Sequence, residues 1–93
     1  MKLSEKVVTF VDEAIDTADY CTEKNMDFDR ASGWIYTALS LVKNFIEEIV
    51  AANRKDILDK AVVVFDNAIV KYPKIARSYE YTMQAIKDVL SCD

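Results

Sequence analysis

Apolar residues recur at three- and four-residue spacing along four segments of this chain, with polar breaks between them. That period places them on one face of an α-helix. Val7, Phe10/Val11, Ala14/Ile15, Ala18 and Cys21 define a first helix over about 5–24, with Ser4 as its N-cap. Asn25 to Asp27 form a short connection, Asp27 caps the next segment, and a long second helix follows over about 28–52. It is apolar on most sides. Ile35, Leu39, Val42, Ile46 and Ile49 make one stripe, Trp34, Ala38, Leu41 and Phe45 an adjacent one, and Gly33, Thr37, Ser40, Asn44 and Glu47 a narrow polar strip. Such a helix belongs at the centre of a fold. A third helix over about 56–72 opens after Asn53 and Arg54, with Asp56 as its cap, and carries Leu58, Ala61/Val62, Phe65, Ala68/Ile69 and Tyr72 on one face. The β-branched run Val62 to Val64 favours a strand mildly, but the helical spacing continues through both its ends, so helix is predicted. Pro73 stops that helix and opens a fourth, about 74–91, on Ile75/Ala76, Tyr79, Thr82/Met83, Ile86 and Val89/Leu90.

Two stretches repeat one another: Lys6 to Ile15 aligns with Lys60 to Ile69, five of ten positions identical. Ala31, Trp34, Tyr36, Thr37 and Leu41 then recur as Ala76, Tyr79, Tyr81, Thr82 and Ile86, with nine more residues between the paired blocks of the first unit. A helical hairpin used twice is the expectation. Short connections make consecutive helices antiparallel, so the predicted fold is all-α. It is a single domain over 1–93, a four-helix antiparallel, up-down bundle built from two similar hairpins. Ala61, Phe65, Ala68 and Pro73 resemble the second helix of a tetratricopeptide motif, reproducing its Ala-x3-Phe-x2-Ala-x4-Pro spacing, and Tyr79 and Met83 fall where such a repeat would restart. The resemblance covers about a third of the chain and lacks the motif's glycine and paired tyrosine in the preceding helix, so what it implies is shared hairpin packing.

Composition narrows the function more than it names it. Hydrophobic residues are 52% and charged residues 30% of the chain, with one Gly and one Pro, a balance that excludes disorder and loop-rich β folds. The longest uncharged run, Ala31 to Val42, is short of the ~20 residues a bilayer span needs. Charges also interrupt the N-terminal apolar residues, so no membrane span or signal peptide is expected and the location is taken as cytoplasmic. Cys21 and Cys92 have no metal-type or CxxC spacing and read as reduced, incidental thiols at opposite ends of the bundle. Absence of His removes the commonest general base and metal ligand together. Ser and Cys nucleophiles therefore lack a base, and no glycine-rich phosphate loop is present. Asp12, Glu13, Asp16, Glu47 and Glu48 are the only carboxylates near a Mg²⁺-binding arrangement, and the paired ExxE and ExxD helices of helical nucleotide pyrophosphatases are missing. No catalytic residue, metal or cofactor is assigned. Gly33 reads as a site of close helix packing.

Two features carry the functional expectation. At the pole that gathers both hairpin turns, Tyr20, Phe28, Trp34, Tyr36, Tyr72, Tyr79 and Tyr81 crowd beside Arg30, Lys74 and Arg77. Tyr, Trp and Arg dominate protein-contact hot spots, so this pole is a candidate contact surface. Trp34, Phe28 and Tyr79 are also suited to filling the core there, while Tyr36, Tyr72 and Tyr81 are expected to be the more exposed. Residues 1–29 hold eight acids against three bases, and Asp12, Asp16, Asp19 and Glu23 fall along one side of the first helix. Like charges at that spacing repel, which a basic partner would relieve and solvation alone would tolerate. The same pattern argues against nucleic acid. The expected function is a small acidic protein-binding module that inhibits or adapts another protein bearing a basic patch, using Asp12, Asp16, Asp19, Glu23, Arg30, Tyr36, Tyr72, Arg77 and Tyr81. Bacteriocin immunity proteins and phage-encoded anti-defence inhibitors are analogous in size and charge only. The alternatives are a homo-oligomeric scaffold, a homodimer at its simplest, suggested by the apolar surplus of the second helix, and a metal-dependent nucleotide hydrolase.

Overall fold

Four predicted helical segments are present, and a fifth helix arises where the apolar pattern runs on without interruption. The computed structural model describes residues 3–91, with side chains from Glu5 onward. The helices are α1 (Leu3–Glu23), α2 (Phe28–Asn44), α3 (Ile46–Ala51), α4 (Lys55–Lys71) and α5 (Ala76–Ser91), and a 3-10 turn, Pro73–Ile75, leads into the last. No strand occurs among the described residues. The all-helical class is borne out. Cys92 lies outside the described residues, as does Lys2 of the acidic N-terminal count.

Caps explain three of the boundaries, the start of α2 and the ends of α1 and α3. Asp27 behaves as predicted: its carboxylate accepts the Arg30 backbone N–H at 3.1 Å. Ser4 instead lies inside the first turn of α1, and Asp56 lies inside α4, where it pairs with Arg54 at 3.0 Å. At the other ends, Asn25 and Asn53 take left-handed backbone angles, φ 57° and 59°. Each closes a Schellman motif. Asn25 N–H donates to Thr22 O and Met26 N–H to Cys21 O; Asn53 N–H donates to Val50 O and Arg54 N–H to Ile49 O. These bonds satisfy carbonyls that the helix ends leave open.

The predicted second helix is broken in two. Phe45 leaves helical geometry (φ −115°, ψ 21°) although no Pro or Gly is nearby, and α3 turns to pack against α1, α2 and α4. Burial supplies the reason. Ile49 becomes fully buried, and Phe45, Ile46 and Val50 join the core edge, which a straight helix would have carried past the ends of its neighbours. Gly33 is exposed on α2, and a Cβ added there would meet nothing within 4 Å, so it does not mediate the close packing expected of it.

α1 packs on α2 and α4, and α5 packs on α2 and α4. Neighbouring α1 and α4 run the same way: Lys60 reaches Asp12 and Asp16, while Lys71 Nζ donates to Thr22 O at 2.7 Å and the Tyr72 hydroxyl to Met26 O. On the other side, Tyr36 Oη donates to Lys74 O (3.4 Å) and Thr82 Oγ1 to Leu39 O (3.0 Å), which sets α5 beside α2 in the same sense. The molecule is thus two hairpins laid side by side, α1 and α4 forming one layer, α2 and α5 the other.

The hairpins correspond in a register different from that of the identities. Fifty positions on from α1, Val8, Val11, Ala14, Ile15, Ala18 and Thr22 meet Leu58, Ala61, Val64, Phe65, Ala68 and Tyr72, all buried. Forty-four positions on from α2, Ala31, Ala38, Leu39 and Val42 meet Ile75, Thr82, Met83 and Ile86, again all buried. The identity register would instead set buried Ile35 and Val42 on exposed Glu80 and Lys87. Those identities come from helical composition, not from equivalent positions.

Candidate functional site

The acidic ladder has found a counter-charge within the chain. Asp12 and Asp16 lie one turn apart on the α4 side of α1, and Lys60 of α4 enters between them, bonded to Asp12 and, at 2.7 Å, to Asp16. Burial of the Lys60 ammonium opposes its charge, but the two carboxylate bonds outweigh it and hold the group above its ordinary pKa. The repulsion that a basic partner would relieve is thus relieved within the chain for half the ladder. Asp19 is half-buried and Glu23 exposed.

The two hairpin turns do meet at one pole. Phe28 stands edge-on to Tyr36 (centroids 6.4 Å apart, 82° between planes) and tilts against Tyr72 at 6.0 Å. Tyr72 was expected on the surface, yet it is 7% exposed and its hydroxyl is held by Met26 O. It continues the buried stripe of α4 by one turn, and that position outweighs its polar tip. Burial pushes the Tyr72 phenol above its ordinary pKa. Tyr79 is half-buried, and its phenol is pushed up to about 12 by the hydrogen bond to Asp66. Trp34, suited by size to the core, is instead exposed.

Of the aromatics assigned to this pole, Tyr20 stays exposed on α1 with Lys24 over its ring at 5.6 Å, and Tyr36 and Tyr81 stay accessible on the outer surface of the α2/α5 layer. There Lys43 lies over the Tyr81 ring at 5.5 Å and Lys74 over the Phe28 ring at 5.4 Å. Leu39, Ser40, Lys43, Ser78, Tyr81 and Thr82 line a small groove between the two helices. Arg30 and Arg77 are exposed in the first turns of α2 and α5, and Gly33, Thr37 and Ser40 give the outer side of α2 an uncharged strip. The layers differ in charge. α1 and α4 carry nine acids and four bases, whereas α2, the 3-10 turn and α5 carry three acids and five bases. The sequence singled out Arg30, Tyr36, Arg77 and Tyr81 of this surface; Lys43 was missed, because only the packing of α2 on α5 sets it beside Tyr81.

Other chemistry finds no geometric support among the described residues. No group of three or more Cys, Asp or Glu side chains is arranged to hold a metal ion, and no helix is long and apolar enough to cross a membrane. Cys21 is a buried thiol within the core. Comparison of the chain with known protein families, with curated proteins and with solved structures finds no match.

Proposed function

We propose that this protein acts by binding another protein, as an inhibitor or adaptor without catalysis of its own, and that the outer surface of the α2/α5 layer makes the contact. The observation that supports this reading is a groove between α2 and α5 lined by Lys43 and Tyr81, the ammonium lying over the exposed ring, with exposed Tyr36, Lys74 and Arg77 on the same layer. Tyr and Arg are the side chains that concentrate binding energy at interfaces, and cations beside aromatic rings recognise carboxylates with an apolar neighbour. The partner is therefore an acidic segment of a protein. This revises the basic partner expected from the ladder, since Lys60 already engages Asp12 and Asp16.

Two variants separate the surfaces. Tyr81→Ala with Arg77→Glu alters the α2/α5 face, and Asp12, Asp16 and Asp19 changed together to Asn alter the ladder. Affinity capture from the native host at low and high salt, followed by titration with the purified partner, is the measurement. Binding that weakens with salt, is lost in the first variant and is kept by the second supports the reading. Loss only in the Asn variant moves the site to α1. Capture of nothing at either salt removes the reading.

A further inference from the structure

The packing of the second hairpin on the first states which positions each hairpin uses to hold a neighbour. From α4, Lys60 inserts between Asp12 and Asp16 of α1; from α5, Ser78 faces the groove beside Leu39, Ser40 and Lys43 of α2. Lys60 and Ser78 are half-buried by that contact. In the burial register, their counterparts on the first hairpin are Phe10 and Trp34. Those two are 56% and 48% exposed. Half-buried Leu41 is the counterpart of half-buried Ala85 on the same seam. Most other pairs agree in burial, with Glu5/Lys55, Val7/Ile57, Thr17/Asn67, Cys21/Lys71, Phe28/Tyr72 and Ile35/Tyr79 as exceptions, and only at Phe10 and Trp34 is a large apolar residue of the first hairpin exposed where its counterpart is half-buried. Two large aromatic side chains on an open seam are also costly to leave in water.

The receiving side changes to match. Of the two carboxylates that hold Lys60, Asp12 corresponds to half-buried Val62 and Asp16 to exposed Asp66, which accepts from Tyr79; Asp19 corresponds to half-buried Ile69. Leu39, Ser40 and Lys43 correspond to Met83, Gln84 and Lys87. Where the internal contact sets a lysine against aspartate, the corresponding external contact would set Phe10 against Val62. Where it sets a serine against Lys43, it would set Trp34 beside Lys87. Both substitutions keep the pair complementary, apolar with apolar and ring with cation.

We infer that the open flank of the first hairpin binds the open flank of the second hairpin on another copy of this chain, repeating between molecules the contact that joins the hairpins within one. Such a contact is head-to-tail: each copy uses two different surfaces, and association continues beyond a dimer unless it closes into a ring. It does not depend on Tyr81, which lines the groove within the chain, and Tyr81→Ala leaves it unchanged.

Sedimentation equilibrium over a range of protein concentrations tests it. The unmodified protein gives a mass that rises above the monomer with concentration, and Phe10→Lys weakens that association by about tenfold or more. Val62→Lys has the same effect from the opposite flank. Mixing these two variants yields a one-to-one dimer and nothing larger, because only one competent pair of flanks is left. Combining Phe10→Lys with Val62→Asp in one chain recreates the Lys60 and Asp12 pairing between copies and restores association. Phe10 is exposed, so its variant keeps the fold, as thermal melting will verify; if Val62→Lys melts early, Gln84→Trp blocks the same flank by bulk. A monomer at every concentration overturns the inference. So does an association that Phe10→Lys leaves intact, or a mixture of the two blocked variants that stays monomeric.

Discussion

The two ends of the molecule are closed in different ways. At the pole of the hairpin turns, polar tips are tied across helices: Tyr72 to Met26 O, Lys71 to Thr22 O and Tyr36 to Lys74 O. At the opposite pole the closure is apolar, with α3 turned under the helices so that Ile49 is fully buried and Phe45, Ile46 and Val50 seal the edge. A hydrogen bond nets only about 1 kcal/mol because water competes for it, whereas burying a large aliphatic side chain contributes about 1.5–3 kcal/mol. The α3 end therefore supplies energy, and the turn end supplies register, fixing which turn of one helix faces which turn of the next.

The sharpest way to break that contrast is Ile49→Ala. It leaves a cavity under α3 and is expected to cost about 2–5 kcal/mol, a large share of the stability of a domain this size. Chemical denaturation measures it, and a loss below about 1 kcal/mol would mean that α3 rests on the core without sealing it. Tyr72→Phe keeps the ring against Phe28 and removes only the bond to Met26 O. The expected loss is about 1 kcal/mol. Hydrogen exchange should show it as faster opening confined to the turn pole. Should Tyr72→Phe prove the more damaging of the two, the division of labour between the poles is wrong.

Smaller again is the effect of Asn53, which holds the left-handed residue between α3 and α4. Asn tolerates that conformation better than other residues with a Cβ, and Gly adopts it freely. Asn53→Ala should cost about 1 kcal/mol, and Asn53→Gly should be neutral or slightly stabilising. The same pair of substitutions at Asn25 probes the turn pole. An equal response at both sites would show that the Schellman turns contribute alike, leaving the difference between the ends to tyrosine and α3.

This contrast also marks how far the sequence could be read. Helical spacing carried the four segments and the Asp27 cap, since both depend on residues close in the chain. The break at Phe45 was hidden because its cause is distant: the apolar stripe from Leu39 to Ile49 fits a straight helix, and only the limited length of α1 and α4 makes a bend bury more. The polar tip of Tyr72 favours the surface, but the residue ends the buried stripe of its helix, and position decides. Lys60 gave no signal, since what makes it meet Asp12 and Asp16 is the lateral order of the helices, α4 rather than α5 beside α1. The acidic ladder was visible as charge and invisible as a pair.

The least perturbing test uses pH. Tyr79, in the first turns of α5, donates to Asp66 of α4, and that bond pushes its phenol up to about 12. The unfolded chain has an ordinary phenol near 10. Because the folded value is the higher one, the contribution is whole below pH 10 and is lost as pH rises through 12. Ionising Tyr79 sets a phenolate against the Asp66 carboxylate and loosens the contact between α4 and α5. Asp66→Asn removes the carboxylate while leaving an amide oxygen able to accept. The Tyr79 step in a tyrosinate absorbance titration should then fall toward 10, and stability above pH 10 should decline less steeply. If that step stays near 12 in the variant, burial holds the phenol proton and Tyr79 belongs with Tyr72, as an aromatic whose position the core decides.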